Sequence, residues 1–296
     1  MTLHCAKWLI FISTLLISCA QLGQAVAVPV AEQTAPSDTP SSPLTSSPST
    51  EETYQVSLGE LSNKYSNCDL PCWWGVTPGE TTKNEFNQEW SSIFRSSEYY
   101  VAPSGDSGWV EVVSSEDEVI ISMKARFEFS ADQKLGSLNI TTLAYSRVEG
   151  GLIRLYGEET YIRLTDNYSL DMVLRDFGLP EAVRFYLEIA IAEPTAPNAF
   201  ILWLSYPEEG VILEYTTRPI IETENPVICI EDLFFNAWLF SPGDLEGVRN
   251  KMNEFVGPYT LDVEQVYGIT VDEFHKKFQR GGEECMTIPV DIWPPP

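Results

Sequence analysis

Residues able to carry acid–base chemistry near neutral pH are scarce in this chain. It has two histidines, and His4 lies in an N-terminal segment expected to be cleaved, which leaves His275. Imidazole-ligated zinc sites usually draw on two or more histidines, and a Ser-His-Asp arrangement would have to use His275. That residue follows Phe274 and precedes Lys276 and Lys277 in a helical pattern, so a place on a helix surface is expected. No Gly-x-Ser-x-Gly, phosphate-cradling glycine loop or dinucleotide fingerprint occurs, and no Asp-x-Asp-x-Asp-Gly loop asks for calcium. Carboxylate chemistry stays open. Among 43 acidic residues some pair can reach the separation that glycoside hydrolysis needs, yet none is singled out by its context. Runs such as Glu116-Asp117-Glu118 read as solvated turns. No catalytic residue, metal site or cofactor is assigned.

The cysteines are more informative. Of the six, Cys5 falls in the cleaved segment and Cys19 stands at its end. Cys68, Cys72, Cys229 and Cys285 remain, and an even number in an exported chain implies disulfides with three connectivities. Cys68–Cys72 with Cys229–Cys285 is the pairing expected. The first closes the loop Cys-Asp-Leu-Pro-Cys, where Pro71 favours a turn; the second would staple the C-terminal tail to a strand. A redox-active Cys68–Cys72 pair is disfavoured, because three residues separate the thiols and no βαβ pattern surrounds them. Trp73 and Trp74 follow directly. Exposed tryptophans beside a disulfide suit a sugar face or a protein anchor, which makes the pair a candidate binding surface. The competing reading has one indole covering the disulfide and the other in the core.

These residues need elements to hold them. Thr82 and Glu85 form a capping-box pattern ahead of Phe86, Trp90 and Ile93. Ser169 precedes Leu170, Val173, Leu174 and Phe177, an amphipathic spacing that stops at Gly178 and Pro180. Ser241-Pro242 predicts a third helix with Leu245, Val248, Met252 and Phe255 inward, ending at Gly257-Pro258. Thr270 and Glu273 form a further capping box before Phe274 and Phe278. Between the helices lie period-two strands. Ile121, Met123, Ala125, Phe127 and Phe129 make one; Val183, Phe185, Leu187, Ile189 and Ile191 make another. Residues 200–206 and 211–215 flank a Pro-Glu-Glu-Gly turn as a hairpin, and residues 136–144 and 227–239 read as further strands. Successive strands and hairpins place the chain in the α+β class, with amphipathic helices laid on antiparallel sheet.

A repeat runs through this pattern. Residues 75–145 and 167–217 each read helix first, then about three antiparallel strands. The domains expected are a first α+β unit over 53–165 and a second, with C-terminal helices, over 166–296.

The N-terminus supplies an address. Lys7 precedes an apolar run over residues 8–17, the layout of a secretory signal and too short for a good membrane span. The sequence Leu16-Ile17-Ser18-Cys19 resembles the lipobox of bacterial lipoproteins. That resemblance implies a signal peptide over 1–18 and a lipid on Cys19, which would anchor the chain to a membrane. An ordinary signal cleavage near residues 25–27 is the competing reading. Residues 19–52 then form a linker, rich in Ser, Thr and Pro over 33–50, with too little apolar surface to offset chain entropy. A net charge of −25 repels phosphate backbones, so nucleic acid is not expected as a partner.

Two further resemblances bear on the folded part. Leu170, Val173, Leu174, Phe177, Gly178 and Pro180 resemble the repeat of Bam-complex E type lipoproteins and of secreted β-lactamase inhibitor proteins. The first unit departs from that pattern, with no Gly-x-Pro closing its helix. Residues 68–79, Cys-Asp-Leu-Pro-Cys-Trp-Trp-Gly-Val-Thr-Pro-Gly, and residues 268–274 resemble signatures of uncharacterised bacterial surface lipoproteins. The reading that follows is an extracytoplasmic, lipid-anchored binding or scaffold protein, at the cell surface or in the periplasm, with a protein or glycan partner of unknown identity. An extracytoplasmic hydrolase using paired carboxylates is the alternative.

Overall fold

The structure, a computed structural model, describes residues 57–116, 118–148, 151–155, 159–189, 197–217, 227–229, 233–257, 259–281, 285–287, 289 and 292. The expected signal peptide, Cys19 and the linker lie outside these residues, as does Ile191.

The chain is α+β, built on one ten-stranded antiparallel sheet. Three short helices come first: α1 (Leu58–Lys64), α2 (Lys83–Glu89) and α3 (Ser91–Ser96). A meander follows, of β1 (Glu98–Val101), β2 (Ser107–Glu116), β3 (Val119–Phe129) and β4 (Leu135–Val148), with β5 (Gly151–Arg154) paired to β4. Then α4 (Glu159–Thr165), a 3-10 turn over Asp166–Tyr168 and α5 (Leu170–Asp176) lead into a second meander, β6 (Ala182–Ile189), β7 (Pro197–Tyr206) and β8 (Val211–Thr217). Helix-then-meander therefore occurs twice. A later strand, β10 (Phe234–Phe240), pairs with β4 on one side and β8 on the other and joins the two meanders into one sheet. The edge beyond β6 is β11 (Thr260–Asp262), and α6 (Leu245–Glu254), α7 (Val263–Tyr267) and α8 (Val271–Phe278) complete the helices.

The alternation of apolar residues decides what packs on each face. Met123, Ala125, Phe127, Leu202, Leu213 and Ala237 join Phe86, Trp90, Leu174 and Phe274 from the helices in one continuous core that spans both halves. On the opposite face, α6 lays Val248 and Met252 on Trp203 and Ile212. Both expected disulfides form, Cys68–Cys72 and Cys229–Cys285. The second ties β9 (Val227–Cys229) to β12 (Cys285–Thr287), a two-stranded sheet of its own.

Several boundaries differ from the sequence expectation. The stretch 227–239 is not one strand, because β9 and β10 belong to different sheets. The helix expected from Phe86 through Ile93 breaks at Trp90, whose backbone leaves helical geometry (φ −89°, ψ 3°). The helix expected from Pro242 starts later, at Leu245. Residues 241–244 form a turn, and the carboxylate of Asp244 accepts the Gly247 N–H (2.9 Å), so Asp244 supplies the cap. The Ser169 side chain caps no backbone N–H; its hydroxyl donates to Asp171 instead (2.7 Å).

Candidate functional site

The residues after the first disulfide form an unusual turn. Trp73 and Val76 exchange backbone hydrogen bonds of 2.8 and 3.1 Å across Trp74-Gly75. Both central residues have positive φ, 48° and 80°, as a two-residue hairpin turn of the primed type requires. Glycine meets that demand freely, but a bulky side chain such as Trp74 rarely does. The turn is held by its surroundings: the Trp90 indole N–H donates to the Trp74 carbonyl (3.2 Å), and the Gly75 N–H donates to Cys68 Sγ (3.3 Å).

Both tryptophans face inward. Trp73 is 2% exposed and Trp74 6%, so neither lies open on the outer surface. Of the two readings of this pair, their burial agrees with the one that places the indoles inside rather than on an exposed stacking surface. Each indole body buries more apolar area than most side chains can, and the neighbouring helices cover them. The Trp73 ring lies 5.1 Å from Tyr168 and 6.1 Å, stacked, from Phe235; Trp74 packs 5.9 Å from Trp90.

The two indoles nevertheless line a cavity of about 390 Å³ bounded by α1, the disulfide loop, the 3-10 turn, α5 and the β7–β8 turn. Its inner wall is apolar and aromatic, with Leu61, Met123 and Val173 beside Trp73 and Trp74. Tyr65 and Tyr168 line it as well. Tyr65 is fixed from outside: its phenol donates to Glu89, which also pairs with Lys64 at 3.0 Å. Hydrogen bonds from Tyr65 and Lys64 hold the Glu89 carboxyl below its ordinary range. Burial, with the nearby charge of Asp69, pushes the Tyr168 phenol up to about 12.

Three carboxylates complete the lining: Asp69 from the disulfide loop, Asp176 from the end of α5 and Glu209 from the β7–β8 turn. Asp69 and Asp176 are exposed and Glu209 is half-buried, which puts the acids toward the mouth and the indoles at the base. Among the described residues no Lys, Arg or His lines the cavity. The Trp73 indole N–H in this wall is buried and has no hydrogen-bond partner among the described residues.

The other residues considered from sequence do not converge here. His275 sits on α8 with Nε2 2.8 Å from the Leu174 carbonyl, a contact between helices. Cys229 and Cys285 staple β9 to β12 away from the cavity lining. Among the described residues no group of three or more His, Cys, Asp and Glu is placed to hold a metal ion. A shallower groove on the open sheet face runs between Trp109 and Trp238. Its lining residue Lys251 pairs with Glu254 at 2.6 Å, and Trp109 is covered by Lys124, 3.8 Å over its ring. Sequence reasoning found the tryptophans but missed Tyr168, Asp176 and Glu209, which come together only through the packing of α5 and the β7–β8 turn on the disulfide loop.

No family model matches the chain, and no curated protein or solved structure matches it. The disulfides fit an oxidising, extracytoplasmic compartment, and among the described residues no helix is long and apolar enough to cross a membrane.

Proposed function

We propose that this chain is an extracytoplasmic binding protein, anchored through a lipid on Cys19, that takes a small ligand into the cavity beneath the Cys68–Cys72 loop. The observation that carries this reading is the cavity itself. Ligand pockets are concave, with apolar or aromatic walls and a few placed polar groups; this cavity has an aromatic base and a surface somewhat more polar than apolar, and its wall is preformed by a turn that forces Trp74 into a strained conformation. Strain of that kind persists only where the surroundings over-determine it.

The hydrolase alternative would draw on Asp69, Asp176 and Glu209. A general acid working near neutral pH needs a carboxyl held in apolar surroundings. Asp69 and Asp176 are exposed, which favours binding over hydrolysis. The likeness of residues 170–180 to Bam-complex E type lipoproteins and β-lactamase inhibitor proteins is a further motive for a binding role.

Ser62 of α1 lines the cavity, and Ser62→Trp would fill it. The full chain, purified gently from its native envelope and examined by native mass spectrometry, is expected to retain a small molecule that the Ser62→Trp variant has lost. Equal retention by both, or none by either, overturns the reading. Anchoring is tested separately: Cys19→Ala should move the chain from the membrane fraction to the soluble one.

A further inference from the structure

We propose that the ligand of this cavity is an organic cation, drawn in by the charge of Asp69, Asp176 and Glu209 and seated with its ammonium head against the aromatic lining of Trp73, Trp74, Tyr65 and Tyr168. The inference rests on the reading of the cavity as a ligand site and adds the chemical class.

Charge complementarity is the first argument. Among the described residues the lining contains three carboxylates and no basic side chain. Asp176 has a partner, Arg175, at 3.1 Å, but both ends of that pair are more than half exposed, so it is weak and screened. Asp69 and Glu209 form no ion pair among the described residues. Burial raises the phenols of Tyr168 and Tyr206, and the charges of Asp69 and Glu209 add to it; Tyr206 packs 5.2 Å from the cavity residue Phe177. An anionic ligand would enter against this potential and against the chain's net charge of −25.

The aromatic wall is the second argument, independent of the acids. Indole and phenol faces carry a negative quadrupole that attracts cations, and aromatic walls are the common solution for ammonium heads. Trp73, Trp74, Tyr65 and Tyr168 all contribute to this lining. A bare metal ion fits less well, because the acids line a mouth whose base is apolar and no metal-holding cluster occurs among the described residues.

Calorimetric titration of the full chain with three probes of one shape separates charge from shape: choline, its uncharged carbon isostere neohexanol, and the matching carboxylate tert-butylacetate. Choline should bind roughly 10-fold or more tighter than neohexanol, a margin within reach of desolvated cation–π contact and carboxylate attraction. The carboxylate should not bind, and added salt should weaken choline alone. The triple change Asp69→Asn, Asp176→Asn and Glu209→Gln should remove that preference while neohexanol affinity and melting temperature stay put. Neohexanol binding as tightly as choline overturns the cation assignment and leaves the ligand cavity standing. A choline preference that survives the triple change, or no binding by any probe, also overturns it. Choline bound equally by Ser62→Trp would place the site elsewhere, and the cavity reading falls with it.

Discussion

Gly75 shows how much a single backbone position contributes to the site. Its φ of 80° suits glycine, and a Cβ there would stand 2.8 Å from the Tyr65 ring and 3.1 Å from Glu89 Cγ. Gly75→Ala should therefore combine backbone strain with displacement of Tyr65 from Glu89, at a cost of about 1–3 kcal/mol. Urea denaturation checks this; a loss under about 0.5 kcal/mol would mean that the turn and the Tyr65–Glu89 contact adapt easily. At this scale the sequence was half legible. A Cys-x-x-x-Cys loop followed by two tryptophans marked the place, because clustered cysteine and tryptophan are rarely incidental. It did not reveal that both indoles turn inward, since nothing local to residues 73–74 says that α1 and the 3-10 turn will cover them. Asp69, Asp176 and Glu209 carried no signal at all. Each looks like an ordinary solvated acid until the chain brings three segments together.

The elements that alternate or cap cleanly were legible: β3, the β7–β8 hairpin, and the capping boxes of α2 and α8. Their cues are local, in side-chain period and in a hydroxyl that accepts an N–H three residues on. The insertion of β10 between the two meanders was not legible, because strand order in a sheet is a non-local outcome. Where the β4–β10 ladder ends, α4 supplies the closure. The Phe235 N–H donates to the Tyr161 hydroxyl (2.7 Å), Tyr161 donates to Thr142 Oγ1 (2.5 Å), and the Thr142 hydroxyl donates to the Phe235 carbonyl. All three residues are buried, so this ring ties helix to sheet where water cannot substitute. Tyr161→Phe keeps the edge-to-face ring contact with Phe234 (4.6 Å) but strands the Phe235 N–H. A loss of about 1–3 kcal/mol is expected, with faster hydrogen exchange at Phe235. An unchanged exchange rate there would show that the amide finds another acceptor.

At the scale of the whole molecule, buried tyrosines make the fold sensitive to alkali. Burial drives the phenols of Tyr161 and Tyr168 up to about 12, against about 10 for a free phenol. It also raises those of Tyr206, Tyr215 and Tyr267. These residues stand on α4, the 3-10 turn, β7, β8 and α7, so they report on the core common to both meanders. The sign follows from proton counting. Between pH about 10 and 12 the unfolded chain has released protons that the folded chain still holds, so the stability these groups contribute is fully present below about 10 and is lost as pH rises toward 12. Each such proton changes stability by about 1.4 kcal/mol per pH unit, and Tyr161 with Tyr168 alone give roughly 3. A domain holds only about 5–15 kcal/mol in total, so unfolding should set in within one to two units above pH about 10. Exposed phenols such as Tyr99 and Tyr100 ionise without unfolding; the remaining phenolate absorbance should rise in one steep step that coincides with the loss of far-ultraviolet circular dichroism. Ionisation of all 13 tyrosines with the dichroism intact would mean that the buried ones reach solvent in the folded chain, and the shared core described above would be wrong.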